Sequence, residues 1–192
     1  MRPILVTAAT NEQLPLTLDA AKEHLRVDEG HEDAMIQQLV RAAYEAVCVA
    51  TGRRLATEVW TWQTSRRDIA RDRSRQLPVA PLSRIDSITY VDASGDAQTL
   101  ASDRYRLIAD PERPAVTMME GDWWPDASRR EDAYTVAMTT ADTCPEPLVT
   151  AMKMLVGHYY ANREAVVTGV NASELPLSVQ SLCQMYQLGW VA

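Results

Sequence analysis

One stretch limits the possible folds of this chain more than any other. It runs Pro145-Glu-Pro-Leu-Val-Thr-Ala-Met-Lys-Met-Leu-Val-Gly-His-Tyr-Tyr-Ala-Asn-Arg163. Two prolines open it, and proline is tolerated only in the first turn of a helix. Behind them Leu148, Met152, Leu155, Val156 and Tyr159 recur at i, i+4, i+7, i+8 and i+11. That spacing is one apolar stripe and predicts a helix over 146–163. At 1.5 Å per residue the stretch makes a rod of roughly 28 Å, long enough to carry a small sheet. The helix ends in a polar cluster, Tyr160, Asn162, Arg163 and Glu164. A run from Val166 to Ser173 reads as a mobile connection, and a second, short apolar helix follows to the chain end. A core helix with a detachable helical tail fits a body that holds itself together and an arm that holds something else.

Upstream, residues 1–13 read as a loose N-terminal arm. Thr17 suits an N-cap, with Asp19 in the first turn where negative charge complements the helix dipole. Leu18, Ala21, His24 and Leu25 then mark a helix over 17–27, broken by Asp28-Glu29-Gly30. A longer helix over 32–51 buries Ile36, Leu39, Val40, Ala43, Val47 and Ala50. Gly52 suits the position just past its end, and Arg53 and Arg54 follow. Residues 57–139 read as β structure. Trp60 and Trp62 alternate with Val59 and Thr61, and Gln76 to Leu82 is extended. Further strands are Ile85–Val91, the Tyr105/Leu107 run, Ala115–Met119 and the alternating Tyr134, Val136 and Met138. Asp92-Ala93-Ser94-Gly95-Asp96 and Asp110-Pro111-Glu112-Arg113-Pro114 are turns by composition. Helices, then strands, then helices mean an α+β chain: a helical body, an inserted antiparallel β-meander and a C-terminal helical tail. The expected division is a body over 1–174 and a docking arm over 175–192.

Chemistry-bearing patterns are scarce. His24, His31 and His158 include no i, i+4 pair, and Cys48, Cys144 and Cys183 have no metal spacing, so neither a metal nor a cofactor is expected. Phosphate-binding glycine loops and a Gly-x-Ser-x-Gly elbow are absent from the sequence. The expectation is therefore a protein that is not an enzyme. An odd number of distant cysteines, with no recognisable leader in Met1 to Val6, points to a reducing compartment. No apolar run reaches the length of a membrane span. The net charge of −7 disfavours general affinity for DNA, which comes from Lys and Arg neutralising phosphates.

Three features stand above this background. Arg66, Arg67, Arg71, Arg73 and Arg75, with only Asp68 and Asp72 among them, form a basic segment in an acidic chain. It is either a solvated loop or edge strand, or a contact with an acidic surface such as the next copy of the protein. DNA ranks third, because no aromatic residue interleaves for stacking. Trp123-Trp124-Pro125 either caps the sheet with one ring or exposes an anchor. In the tail, Leu175, Val179, Leu182 and Tyr186 share a helical stripe, and Leu188, Trp190 and Val191 continue the apolar character to the last residues. Such an end docks on its own body or on a partner, and the partner is the sharper reading.

The order of these segments resembles the head-tail connector (adaptor) proteins of long-tailed bacteriophages and of gene transfer agents. The resemblance rests first on Leu16-Thr17-Leu18-Asp19-Ala20-Ala21-Lys22-Glu23-His24-Leu25-Arg26-Val27, then on Glu32-Asp33-Ala34-Met35-Ile36. Pro81-Leu82 with Ile85, Ile88, Tyr90, Val91, Asp92, Gly95 and Tyr105 follow, then Trp124-Pro125. The last element is Pro145, Leu148, Ala151 to His158, the adjacent tyrosines, Asn162, Arg163 and Glu164. Relatives tend to carry Gly-Tyr after the last strand, where this chain has Thr139-Thr140-Ala141-Asp142.

The resemblance implies a structural ring, usually of twelve copies, below the portal protein in the neck of a virion or phage-like particle. The ring would assemble in the bacterial cytoplasm, extend the DNA channel without gripping DNA, and present a docking face to the next neck protein. Leu175, Val179, Leu182, Tyr186, Leu188 and Trp190 would form the portal interface. Arg66, Arg67, Arg71, Arg73, Arg75, Trp123 and Trp124 would supply the subunit interface. Glu32, Asp33 and Glu146 are candidates for the channel lining. The alternatives are another neck component, such as a head-closure or tail-terminator protein, or a phage-encoded soluble enzyme or DNA-processing factor.

Overall fold

The computed structural model describes residues 2–28, 30–162 and 175–189. Val166–Ser173, Arg163, Glu164 and Trp190–Ala192 lie outside them. The chain forms two compact units. The β unit comprises residues 1–8 and 57–142, and the helical unit residues 9–56 and 143–192. The expected boundary at 174/175 differs from this division, because residues 175–189 pack within the helical unit.

In the helical unit, α1 (Leu18–Leu25) begins where the Thr17 hydroxyl accepts from the Ala20 N–H. It ends at Arg26, whose left-handed backbone lets the Arg26 and Val27 N–H groups close back on Glu23 and Lys22. Next, α2 (Asp33–Thr51) stops at Gly52, at φ 72°. Positive φ costs glycine least, so the chain turns there cheaply. The long helix of the sequence reading is α4 (Glu146–Ala161), with Pro145 just outside its first turn. Its stripe, Leu148, Met152, Leu155 and Val156, is fully buried against Ile36, Val40, Ala43, Tyr44 and Val47 of α2. A short helix, α5 (Leu177–Gln184), completes the unit.

The β unit holds two antiparallel sheets. Strands β1 (Ile4–Thr7), β2 (Val59–Thr64), β4 (Leu82–Val91), β5 (Ala97–Thr99) and β8 (Tyr134–Thr140) form the larger, in the order β1-β2-β8-β4-β5. The smaller contains β3 (Ser74–Gln76), β6 (Tyr105–Ile108) and β7 (Ala115–Met118), ordered β3-β7-β6. Residues 1–13 were expected as a loose arm. Instead Ile4, Leu5 and Thr7 pair with Thr61, Trp60 and Val59, and only the edge position leaves their side chains exposed. Strand alternation sends Trp60 and Trp62 inward, opposite Met138 and Val136 of β8. Both sheets contribute to one core, in which Ile69, Leu77, Ile88, Val116, Tyr134 and Val136 are fully buried.

The departure at Thr139-Thr140 has a structural use. Thr139 Oγ1 donates to Asp86 Oδ2 at 2.7 Å, and Thr140 Oγ1 accepts from the Glu58 N–H at 2.7 Å. The two hydroxyls stitch the end of β8 to both its neighbours. Asp92 and Asp110 organise their turns as expected. Asp92 accepts from the N–H groups of Ser94 and Asp96, and Asp110 from those of Glu112 and Arg113. These bonds favour the charged carboxylates. The Asp92 pKa is held below the ordinary aspartate value by the Gln98 amide first, then by the turn N–H groups. The Asp110 pKa is held down chiefly by the N–H groups of Arg113 and Glu112.

Candidate functional site

The basic segment does not run as one loop or strand. Ser65 caps a single-turn helix, α3 (Arg66–Ile69), its hydroxyl accepting from the Asp68 N–H and donating to Asp68 Oδ2. Ile69 is buried and pins the turn, so Arg66 and Arg67 are carried on its outer side, exposed. Further on, the Arg73 guanidinium donates to the Met118 and Met119 carbonyls. Arg75 lies in β3 opposite Val116, half-buried. Arg71 is exposed and lies outside the cluster formed by Arg66 and Arg67.

The two adjacent tryptophans separate. Trp124 is 3% exposed; its indole N–H donates to the Asp72 carbonyl at 3.0 Å, and its ring meets Tyr134 edge-on at 5.9 Å. Tyr134 in turn donates to the Pro125 carbonyl and stacks on Tyr90. Burial pushes the Tyr134 pKa up to about 12, with the Arg66 charge pulling the other way. Trp123 is 51% exposed. Its backbone is fixed from below by Arg104, which pairs with Asp122 at 2.7 Å and reaches the Trp123 carbonyl. One ring is an anchor and the next is displayed.

Arg66, Arg67 and Trp123 meet in one open basin of about 430 Å³, lined also by Ser65, Ala70, Arg129, Arg130 and Glu131. Arg129 and Arg130 were missed by the sequence reading. The signal for them is the strand register. Thr64 at the end of β2 lies opposite Tyr134 at the start of β8. Residues just after the one and just before the other therefore share one end of the sheet. Within the basin Arg66 pairs with Asp126 at 3.1 Å, and Arg130 grips Asp132 through two bonds of 2.8 and 2.9 Å. That grip lowers the Asp132 pKa and raises the Arg130 pKa. Among the described residues Arg67 and Arg129 have no carboxylate partner of this kind. Four guanidinium groups around a half-exposed indole favour a surface carrying carboxylates and an apolar contact.

The tail residues lie elsewhere, in the helical unit. Val179 and Leu188 are buried in its core, with Leu175, Leu182 and Tyr186 half-buried beside them. The Leu188 N–H donates to the Thr51 carbonyl at 2.8 Å, and Arg53 Nε to the Tyr186 carbonyl at 2.6 Å. What α5 leaves outward is Leu177, 81% exposed, and Met185, 66% exposed. Trp190 is outside the described residues.

The acidic candidates divide. Glu32 accepts from the Tyr160 hydroxyl, Asp33 pairs with Lys22 at 2.6 Å, and Glu146 is exposed. Among the described residues no cluster of His, Cys, Asp and Glu could hold a metal, and no helix is long and apolar enough to cross a membrane. The three cysteines carry thiols, and burial raises the Cys183 pKa.

No family profile and no curated protein matches this chain. Solved structures do. A chain from the neck of the native gene transfer agent particle with C12 symmetry matches at TM-score 0.75 and 23% identity, over 97% of this chain and 95% of that one. The fold is shared. A chain from the neck of the empty particle with C6 symmetry matches at TM-score 0.74 and 22% identity, with the same coverage. One from the virion of the native particle matches at 0.73 and 24%, again with that coverage. At these identities the likeness is one of fold, and it extends over both units.

Proposed function

We propose that this protein is a structural neck component of a tailed-phage-like particle, a head-tail connector (adaptor) that works as a ring rather than as an enzyme. The observation that carries this reading is the fold shared, over 97% of the chain, with chains of cyclic necks. A ring requires two unlike surfaces on each copy that meet head to tail and close. The basin of the β unit offers one of them. Of the seven residues expected at the subunit interface, Arg66, Arg67 and Trp123 line the basin in this reading. Trp124 supports them from within, Arg73 ties its segment to the Met118 and Met119 carbonyls, and Arg71 and Arg75 lie outside the basin lining. Twelve copies is the number that a C12 neck suggests.

In the same reading the C-terminal arm meets the portal protein through what it leaves outward, Leu177 and Met185. Val179 and Leu188 are already committed to the helical core. The next neck protein would dock on the opposite face of the ring. DNA would pass through a ring whose subunits carry −7 each, a charge that repels the phosphate backbone and lets it slide.

The test is electron microscopy of purified particles carrying a tag on this protein. Label at the neck, next to the capsid vertex, is the expected result, together with co-purification of the portal protein. Label at the distal end of the neck without portal contact would favour a head-closure or tail-terminator role. Absence from the particle would remove the reading.

A further inference from the structure

We infer that the arginine-lined basin is a receptor for a carboxylate-bearing surface of a second copy of this chain, with Trp123 as its apolar centre. The inference rests on the ring reading above and names the partner of one surface. Its first support is charge. The chain carries 26 acidic against 19 basic residues, so copies repel unless basic groups are gathered where they touch. The basin gathers four of the 19, and Glu131 is the single acid in its lining.

Its second support is the state of those four. Arg66 contacts Asp126 through one nitrogen and Arg130 is held by Asp132 through two bonds, which orients the Arg130 guanidinium and leaves donors to spare on both. Arg67 and Arg129 have no carboxylate partner among the described residues. One oriented, one lightly paired and two guanidinium groups without a carboxylate partner among the described residues suit carboxylates arriving from outside, which can bind them bidentately.

The third support is composition. Trp and Arg together, in a concave place with a rigid backing, are what interface centres are made of. The backing here is the chain from Arg104 through Asp122 and from Trp124 to Asp72. Nucleic acid is the other anionic partner, and Trp123 supplies the aromatic ring that the arginine run itself lacks. Asp126, Asp132 and Glu131 stand at the same place, however. They would oppose a phosphate backbone, whereas a protein surface can present carboxylates to the arginines and hydrogen-bond donors to these acids.

The experiment uses the full chain with Arg67→Lys and Arg129→Lys, which keep the charges and supply amines. An equal mixture of ¹⁴N and ¹⁵N protein is assembled and treated with a carbodiimide, which joins an amine to a touching carboxylate. The expected product is a peptide pair of mixed isotope, linking Lys at 67 or 129 to an Asp or Glu of another copy. In parallel, Arg67→Glu with Arg129→Glu, or Trp123→Ala, raises the concentration for half-assembly by roughly tenfold or more, with unchanged circular dichroism.

Cross-links confined to single copies in an assembled ring would overturn the inference while leaving the neck reading intact. So would undiminished assembly of the charge-reversed variant. Salt-sensitive binding of duplex DNA that these variants abolish, with assembly unaffected, would assign the basin to nucleic acid instead. Particles lacking the tagged wild-type protein would be the separate failure of the neck reading.

Discussion

The helical and β units differ less in their cores than in what surrounds their exposed apolar residues. In the helical unit the stripes of α2, α4 and α5 converge, and even the chain's last described hydrophobic residue, Leu188, is buried. The β unit buries a core of its own around Tyr134 and Val136. Both units also leave large apolar side chains outward, Leu177, Val49 and Met185 in the helical unit and Val6, Ile4 and Trp123 in the β unit, but in the β unit one of them, Trp123, sits beside Arg67 and Arg129, which have no carboxylate partner among the described residues. A residue type therefore does not announce its task. The apolar tail packs its stripe on the helical core while Leu177 and Met185 stay outward, and one tryptophan of an adjacent pair is buried while the other is displayed. Burial and pairing in three dimensions separate structural from available groups, and in the β unit an available apolar group is flanked by arginines.

Removing 175–192 breaks this contrast hardest. It takes Val179, Cys183 and Leu188 out of the helical core and removes the bonds to Thr51 and Arg53. A loss of about 4 kcal/mol or more is expected in urea unfolding. An unchanged midpoint would make the tail a detachable arm after all. Next come Leu155→Ala in the helical unit and Ile88→Ala in the β unit. Both sites are fully buried, so each costs about 3 kcal/mol. Similar losses would show that the units differ in surface rather than in core quality. Thr17→Ala removes the cap of α1 and costs about 1 kcal/mol by the same assay.

Trp123→Ala and Arg67→Glu should leave stability within about 0.5 kcal/mol while weakening assembly, because exposed sites contribute little to folding. A large stability loss would place Trp123 with Trp124 among the anchors. The smallest effect concerns pH. Asp92, Asp110 and Asp132 of the β unit have lowered pKa values. A depressed carboxylate pKa contributes stability that is present above the unfolded value of 3.8 and lost as pH falls through the folded one. The protection of the 92–96 and 110–113 turn amides, relative to their intrinsic exchange at each pH, should therefore fall as pH drops below about 4. Exchange there that is independent of pH-linked opening would mean that these carboxylates do not hold the turns.

Much of this contrast was legible in the sequence because it depends on local rules. Helical periodicity located α2 and α4 to within two residues, Gly52 marked the end of α2, and Asp92 and Asp110 marked their turns. Strands β1 and β5 were not legible. Ala97-Gln98-Thr99 has little intrinsic strand character, and Ile4–Thr7 becomes a strand only through β2. The basin was half legible. Arg66, Arg67 and Trp123 stood out as residue types, but Arg129 and Arg130 join them only through the Thr64–Tyr134 register, a contact between distant segments. The tail stripe was visible, whereas its partner, the chain's own α2 and α4, was a matter of packing.

The most direct test is a side-chain-resolution electron cryo-microscopy reconstruction of the neck of particles carrying this protein. The expected map is a closed ring of copies in which each basin is filled by its neighbour, with Arg67 and Arg129 against carboxylates and Trp123 buried. A ring whose basins face solvent or DNA, or a neck that lacks this chain, would contradict it.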